Sequence, residues 1–291
     1  MALKNLSRSI EGCVAVITGA GSGMGAATAK LFAEEGATVA LIDLNEPGVL
    51  AVEKEIVDAG KSGLAWIADL GSKLEIDETI SAVAEKFSGI DLLINNAGVV
   101  NTEYSETIDG IENTFAVNHL GYFLFTNLLL DLVKKESESR IINVSSAAHH
   151  FVKGMQWDDI NYKDDFKMGL KAYGQSKLGN ILFTKQLAKK LQKDGVTVNA
   201  IHPGGVNTSL GNQNNSLLGR VLKVILKPFF RSPLKGANTI IYLAEIDGLS
   251  ITGAYWVDGR VAKTSHYSKN EAEAEKLWRL SEKLVNQEFD I

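Results

Sequence analysis

The chain has 291 residues, 45 % of them apolar and 22 % charged, as is ordinary for a soluble globular protein. The net charge of −5 speaks against a general affinity for nucleic acid, and the single cysteine, Cys13, excludes an internal disulfide and favours a reducing compartment. No signal sequence is recognisable in residues 1–11, and no stretch approaches the roughly 20 apolar residues that span a bilayer. We therefore expect a cytoplasmic protein that forms one domain over residues 1–291.

The first predicted elements are a buried strand over 13–18, a glycine-rich turn over 19–25 and a helix over 26–35. In this context the glycines let the backbone approach a pyrophosphate, which the free N–H groups of the helix terminus can bind. The spacing differs from the common dinucleotide fingerprint, and a purely structural turn is the alternative. The expected cofactor contacts in this turn are Gly19, Ser22, Gly23, Met24 and Gly25.

A second predicted strand, over 38–42, ends at Asp43. The carboxylate of Asp43 can accept hydrogen bonds from both hydroxyls of an adenosine ribose and would repel a 2′-phosphate. No Arg or Lys in the glycine turn offers to bind such a phosphate, so we expect NAD as the cofactor; the alternative is that Asp43 completes a local turn. After the third strand, over 63–68, Asp69 and Leu70 are expected to edge the adenine.

Strand and helix continue to alternate, with further strands over 91–95, 140–144 and 196–201. Asn96 and Gly98 follow the first of these in a turn whose small residues let a flat ligand approach. The alternation predicts an α/β fold of the Rossmann type, with a single doubly wound parallel sheet flanked by helices on both faces.

A tyrosine and a lysine lie four positions apart on a predicted amphipathic helix over 170–193. Residues at this spacing share one helix face, so the phenol of Tyr173 and the ammonium of Lys177 can meet. A lysine close to a phenol favours the phenolate and lowers its pKa from about 10, which makes a usable general acid/base. The alternative is two unrelated residues on a solvated helix face.

These motifs occur together and in a fixed order along the chain: Thr18-Gly19-x-x-x-Gly23-x-Gly25, Asp69, Asn95-Asn96-Ala97-Gly98, Asn118, Ser146, Tyr173-x-x-x-Lys177 and Pro203-Gly204. In kind and in order they resemble the short-chain dehydrogenase/reductase family over nearly the full chain.

The resemblance implies roles for the catalytic residues. Tyr173 is the implied general acid/base, and Lys177 is implied to lower its pKa and to hold the nicotinamide ribose. Ser146 is implied to hold the substrate oxygen, with Ser145 as the alternative. Asn118 is similar to the family asparagine that holds a water molecule and relays protons to the lysine.

The loop after the sixth strand resembles the family loop that reaches the nicotinamide carboxamide, through the backbone of Val206 and through Thr208. His202 in this loop is expected to be structural. No cysteine or carboxylate spacing supports a metal site, so we expect His149 and His150 to face solvent or the substrate pocket.

Tyr173 follows Ser146 by 27 positions, more than in most of the family, and this insert and the stretch over 276–281 resemble the retinol-dehydrogenase-like branch. Two features depart from that branch: many of its members carry an N-terminal membrane anchor, and many have basic residues for NADP where this chain has Asp43.

A substrate-binding insert is expected at about 207–235, and within it an amphipathic, basic helix over 217–231. This helix is interpreted as a lid over an apolar substrate, a peripheral membrane contact or an oligomer contact. A C-terminal helix over about 271–287 would help close the pocket. By analogy with the family, we expect a homodimer or homotetramer that pairs through the helices over 111–133 and 170–193.

The expected function is NAD-dependent interconversion of an alcohol and its aldehyde or ketone, with a lipophilic small-molecule substrate. The alternative from another class is a non-catalytic regulatory or scaffold protein that binds a dinucleotide. Fold alone does not identify the substrate.

Overall fold

A computed structural model of the protein describes residues 8–205 and 231–291. The predicted cofactor contacts at Val206 and Thr208 lie outside the described residues. So do most of the predicted insert and all but the last residue of the predicted helix over 217–231.

Eight strands of the described residues form one sheet. They are β1 (Val14–Thr18), β2 (Thr38–Asp43), β3 (Gly63–Ile67), β4 (Leu92–Asn95), β5 (Arg140–Val144), β6 (Thr197–His202), β7 (Tyr255–Val257) and β8 (Arg260–Val261). Their order is β3-β2-β1-β4-β5-β6-β7-β8, and all neighbours are parallel except the last pair. The chain reverses its direction across the sheet between β1 and β4, and ligands bind at such a switch point in open α/β sheets. The predicted fold class is confirmed, and the short antiparallel β8 is added at the edge of an otherwise parallel sheet.

Helices cover both faces of the sheet. They are α1 (Gly23–Glu34), α2 (Glu46–Asp58), α3 (Lys73–Lys86), α4 (Asn113–Phe115), α5 (Gly121–Val133), α6 (Leu170–Lys190), α7 (Pro233–Glu245) and α8 (Glu271–Leu284). Successive side chains of a strand point to opposite faces. Ile17 and Leu41 accordingly pack in one apolar layer with α1, α2 and α7, whereas Val16 and Leu93 pack in the other with α3, α5, α6 and α8.

One helical run of the described residues, Asn113–Val133, has the length and apolar composition of a membrane span. This differs from the expectation that no stretch approaches one. However, 83 % of its most apolar window is buried within the protein. A core helix that is covered on all sides is apolar all round, and the run is such a helix.

The C-terminal helix α8 lies over the two long helices that were expected to pair subunits. The Trp278 ring on α8 is 4.9 Å from the ring of Phe123 on α5 and 5.9 Å from that of Phe183 on α6. Within this single chain α5 and α6 are already buried along most of their length. Part of the surface of 111–133 and 170–193 is therefore covered by α8 of the same chain. The homodimer or homotetramer and its pairing through these two helices stay predictions.

Candidate active site

A cavity of about 700 Å³ lies at the carboxyl ends of β1 to β6, where the strand order reverses. Twelve of the predicted site residues line it: Gly19, Ser22, Gly23, Met24, Asp43, Asp69, Leu70, Asn96, Gly98, Ser146, Tyr173 and Lys177. The other two predicted residues that the structure describes, Gly25 and Asn118, do not line the cavity. They pack against Gly19 and Gly98, which do. The fold thus brings together residues that are up to 158 positions apart in sequence, from Gly19 to Lys177.

The turn between β1 and α1 has room for glycine alone at two positions. Gly19 has a φ of +67°, and a Cβ atom there would lie 2.7 Å from the Cα atom of Ala97. A Cβ atom on Gly25 would lie 2.1 Å from the carbonyl oxygen of Gly19. Gly25 therefore allows α1 to begin against the turn, and the start of α1 presents its free N–H groups to the cavity. This cradle fits the pyrophosphate of a dinucleotide.

Asn96 fastens the glycine turn to the end of β4. Its Nδ2 donates to the carbonyl oxygens of Thr18 (2.9 Å) and Gly19 (3.2 Å). In return, the Thr18 hydroxyl accepts from the backbone N–H groups of Asn96 and Ala97 at 3.0 and 3.1 Å. Asn96 is thus a clamp of the cradle as well as a lining residue.

The Asp43 carboxylate takes part in local structure and also faces the cavity. Its Oδ2 accepts from the N–H of Gly21 and its Oδ1 from the N–H of Asn45, both at 2.8 Å. Each carboxylate oxygen has a second lone pair, so two further donors, such as ribose hydroxyls, can still be accepted. The two interpretations of Asp43 from the sequence are therefore compatible.

Asp69 and Leu70 line the same end of the cavity. The Asp69 carboxylate accepts from the N–H of Gly71 at 2.7 Å, and its own N–H donates to Glu75 Oε2 at 2.8 Å. These contacts turn the chain from β3 into α3 and leave Leu70 as an apolar wall.

Tyr173 and Lys177 lie one turn apart on α6 and face the other end of the cavity. The Lys177 ammonium is 5.6 Å from the Tyr173 ring centre, and Nζ donates to the carbonyl oxygen of Val144 at 3.2 Å. Lys177 is only 3 % exposed, and in the described part of the chain no carboxylate pairs with it. The predicted juxtaposition of phenol and lysine is present.

The two pKa shifts run against the expectation that the lysine draws the phenol below its ordinary value. Burial raises the pKa of Tyr173 to about 12, although its hydrogen bond with the Ser146 side chain lowers it in part. Burial also lowers the pKa of Lys177 to about 7. Burial penalises the charged form of both groups, and near neutral pH the lysine is only partly charged. In the protein alone, the proton therefore resides on the phenol.

The two serines after β5 have different surroundings. Ser145 Oγ donates to the carbonyl oxygen of Lys177 at 2.7 Å, and Ser145 is 1 % exposed. Ser146 Oγ accepts from the N–H of Ala148 at 3.1 Å, and the Ser146 side chain lines the cavity with Tyr173, where it lowers the pKa of the phenol in part. Ser145 thus ties β5 to α6, whereas Ser146 is the serine that stands with the phenol.

Asn118 lies in a segment with π-helical hydrogen bonding, Ala116–Leu120, which joins α4 to α5. Its Nδ2 donates to the Val99 carbonyl oxygen (2.9 Å) and to Ser176 Oγ (3.1 Å), and its Oδ1 accepts from the Val99 N–H at 2.8 Å. The side chain therefore holds the loop after β4 against α6. Its role in a water relay stays a prediction.

A buried polar network lies beneath the end of the cavity that Tyr173 and Lys177 line, and it was not predicted from the sequence. Asn95 Nδ2 donates to Asn143 Oδ1 at 2.8 Å, and Asn143 Nδ2 donates to Thr184 Oγ1 at 2.9 Å. Asn180 Nδ2 donates to the Val144 carbonyl oxygen at 3.1 Å, the same oxygen that Lys177 reaches. The available signal was an asparagine at apolar positions of two neighbouring strands.

His149 departs from the expectation that it faces solvent or the pocket. It is fully buried, with Nδ1 at 2.6 Å from the Ser146 carbonyl oxygen and Nε2 at 3.1 Å from the Ser265 nitrogen. His150 is exposed. His202 Nδ1 accepts from the Ala147 N–H at 3.4 Å, which is a structural contact as expected. Among residues 8–205 and 231–291, no group of three or more His, Cys, Asp or Glu is placed to hold a metal ion.

The chain is similar to known proteins over most of its length. A family model described as enoyl-(acyl carrier protein) reductase matches residues 19–259. Retinol dehydrogenase 11 of Mus musculus is 38 % identical over 275 residues, which cover 94 % of this chain and 86 % of the relative.

Two solved structures give the same picture of the fold. A short-chain dehydrogenase from Burkholderia cenocepacia, in complex with NADP, has a TM-score of 0.69 and 27 % identity and covers 86 % of this chain and 98 % of its own. A 3-ketoacyl-(acyl-carrier-protein) reductase from Brucella melitensis, complexed with NADH, has a TM-score of 0.66 and 29 % identity and covers 85 % of this chain and 96 % of its own.

Proposed function

The chain belongs to the short-chain dehydrogenase/reductase family of oxidoreductases, in its retinol-dehydrogenase-like branch, and we propose that it interconverts an alcohol and its aldehyde or ketone with NAD. The observation that carries this proposal is the meeting of Ser146 and Tyr173 at one end of the cavity. They line the same cavity as the glycine cradle and the buried Lys177.

The residues of this cavity fit a nicotinamide dinucleotide. The cradle at Gly19 and the start of α1 would hold the pyrophosphate, Asp43 the adenosine ribose, and Asp69 and Leu70 the adenine. When bound, the cofactor supplies the hydride acceptor or donor and, in its oxidised form, a positive charge. Lys177 would hold the second ribose at the catalytic end.

Tyr173 moves the proton in the proposed reaction. In oxidation its phenolate oxygen takes the proton of the substrate hydroxyl, and in reduction the phenol returns a proton to the carbonyl oxygen. Ser146 Oγ holds the substrate oxygen. Because burial sets the pKa of Tyr173 at about 12 in the protein alone, the phenolate needs additional positive charge at this end of the cavity.

The proposed substrate is a lipophilic alcohol or its carbonyl form. In support, Val99, Val100, Val117 and Val144 form apolar parts of the cavity wall, and the similar Mus musculus protein is a retinol dehydrogenase. A panel of retinoids, steroids, and aliphatic and aromatic alcohols, measured at the NADH absorbance, tests this proposal. NAD-dependent turnover of a lipophilic alcohol is expected. Cofactor binding without turnover of any compound would contradict it and favour a non-catalytic dinucleotide-binding protein.

The preference for NAD rests on Asp43. We expect Asp43→Ala to relax the preference by about tenfold or more, because a carboxylate hydrogen bond to a ligand hydroxyl contributes about 1.5–3 kcal/mol. Fluorescence titration of NADH and NADPH checks this, with Asp77→Ala, a surface aspartate on α3, as the control. Equal affinity of the unmodified protein for both cofactors would contradict the assignment. Both cofactors have to be titrated because one similar solved structure holds NADP and another holds NADH.

A further inference from the structure

A buried histidine outside the cavity wall holds the backbone of Ser146. His149 lies in the short helical segment Ala147–Phe151, three residues after Ser146, and its exposure is 0 %. It is absent from the cavity lining, so it does not contact a ligand held there. Its contacts with the chain define what it does.

Both ring nitrogens of His149 have backbone partners. The Ser265 N–H can only donate, so Nε2 at 3.1 Å from it must accept. The Ser146 carbonyl oxygen can only accept, so Nδ1 at 2.6 Å must carry the hydrogen. The two contacts together fix a neutral ring with its proton on Nδ1, and they leave neither nitrogen for a metal ion or for proton transfer.

The ring is also held by its packing. It lies 4.0 Å from the His150 ring and 5.2 Å from the Tyr255 ring on β7. Burial, and to a smaller extent the nearby His150 and His202, lower the pKa of His149 to about 4. The ring therefore stays neutral, and its two contacts persist, over the range in which the enzyme would be assayed.

The other restraints on Ser146 come from the backbone just after it: its carbonyl oxygen accepts from the His149 N–H at 3.2 Å and its Oγ from the Ala148 N–H at 3.1 Å. The His149 ring adds the contact that ties Ser146 to a distant segment, at Ser265. The Ser146 backbone is extended, with φ −159° and ψ 157°, at the point where β5 has ended and the short helical segment begins. The orientation of its peptide decides where Oγ stands relative to Tyr173. A shift of about 1 Å in a reacting group costs about 100-fold in rate.

We propose that His149 is the positioning residue for Ser146: it ties the Ser146 carbonyl to the Ser265 backbone and so aims Ser146 Oγ at the substrate oxygen and at Tyr173. This role rests on the proposed function. It also gives the segment after β8 a part in the catalytic end, although Ser265 is 116 positions from His149 in the sequence.

Two matched substitutions of His149 separate its contact with the Ser146 carbonyl from its contact with the Ser265 N–H. In His149→Asn the amide nitrogen stands near the place of Nδ1 and can still donate to Ser146. In His149→Gln the side-chain amide reaches the position of Nε2. Its oxygen can accept there from the Ser265 N–H, and the contact with Ser146 is lost. His149→Phe removes both contacts, and His150→Asn is the control on the exposed neighbour.

We expect His149→Phe and His149→Gln to lose about 10- to 100-fold in kcat. We expect His149→Asn, which keeps the contact with Ser146 and loses only the anchor at Ser265, to lose less than either of them. NADH affinity should not change in any of them. Since the nearby Ser146 side chain lowers the pKa of Tyr173, the pH at which oxidation reaches half its maximal rate should rise most in His149→Phe and His149→Gln. A residue that merely stabilises the fold would not shift this profile.

The outcomes distinguish the two claims. Unmodified protein without turnover would overturn the proposed function, and the role of His149 with it. Active unmodified protein with a His149→Phe variant of equal kcat would overturn the role of His149 alone. If His149→Phe does not fold, the comparison of Asn with Gln decides, and equal kcat and pH profiles for those two would contradict the proposal.

Discussion

The cavity has a nucleotide end, at Gly19–Gly25 and Asp43, and a catalytic end, at Ser146, Tyr173 and Lys177. The two ends are held together by different kinds of contact. At the nucleotide end, most of the contacts are local: Asp43 accepts from the backbone of Asn45, two positions away, and Gly25 lets the chain pass at contact distance from Gly19. The Asn96 side chain adds a clamp from 77 positions after Gly19. At the catalytic end, side chains meet partners far along the sequence. Ser145 reaches Lys177, 32 positions on, and His149 reaches Ser265.

This difference determines how each end can fail. The nucleotide end is a steric arrangement of backbone, so an added methyl group is enough to disturb it. The catalytic end holds desolvated polar groups whose pKa values are shifted by burial, and it depends on partners that exclude water and fix orientation. Three changes test this contrast, from the largest expected effect to the smallest.

Trp278→Ala tests the support of the catalytic end from outside. Trp278 is 2 % exposed and packs on rings of α5 and α6. Removing a buried aromatic side chain costs about 3–5 kcal/mol in the free energy of unfolding, which urea titration measures. Lys283→Ala, exposed on the same helix, should stay within about 0.5 kcal/mol. A loss below about 1 kcal/mol for Trp278→Ala would show that α8 does not support this end.

Gly25→Ala tests the steric character of the nucleotide end. The new Cβ atom would overlap the Gly19 carbonyl at 2.1 Å, so the cradle must shift, and NADH affinity should fall about 100-fold. The control is Gly60→Ala, at φ +74° with open space around the new atom. It should cost about 1–2 kcal/mol of stability through backbone strain and leave affinity unchanged. Unchanged affinity in Gly25→Ala would refute the steric account.

The pH dependence of stability tests the desolvated catalytic end. The pKa of Lys177 is about 7 in the folded protein and ordinarily 10.5, so between these values the unfolded chain binds more protons. The free energy of unfolding should therefore rise from pH 7 to 9 by up to about 1.4 kcal/mol per pH unit. Lys177→Met should flatten this rise, and Lys171→Met, on an exposed lysine of the same helix, should not. Equal slopes in all three proteins would show that burial does not perturb Lys177.

The same contrast explains how far the sequence could be interpreted. The sheet follows from alternating apolar strands and helices, and the cradle from its glycines, because these signals lie within a few residues of one another. Tyr173 and Lys177 share a helix face by spacing alone. Each of these depends on local geometry that a single sequence contains.

The features of the site that could not be predicted from the sequence are those that depend on burial or on partners far along the chain. Nothing near His149 indicates Ser265, and the apolar pattern around Asn118 is the same for an α-helix and for the π-helical segment that it occupies. In the protein alone, burial raises the pKa of Tyr173, and a sequence shows the proximity of a lysine but not the degree of burial. The packing of α8 on α5 and α6 likewise depends on tertiary contacts that the sequence does not show.

Tyr173→Phe is the most direct test of the central claim, that this phenol transfers the proton of an alcohol oxidoreductase. The substitution removes one hydroxyl from the catalytic end and nothing from the cradle. We expect turnover of the best substrate in the panel to fall about 10²- to 10⁴-fold, with NADH affinity unchanged. Tyr267→Phe, a tyrosine outside the cavity, serves as the control and should keep full turnover. A Tyr173→Phe variant with turnover close to that of the unmodified protein would contradict the account.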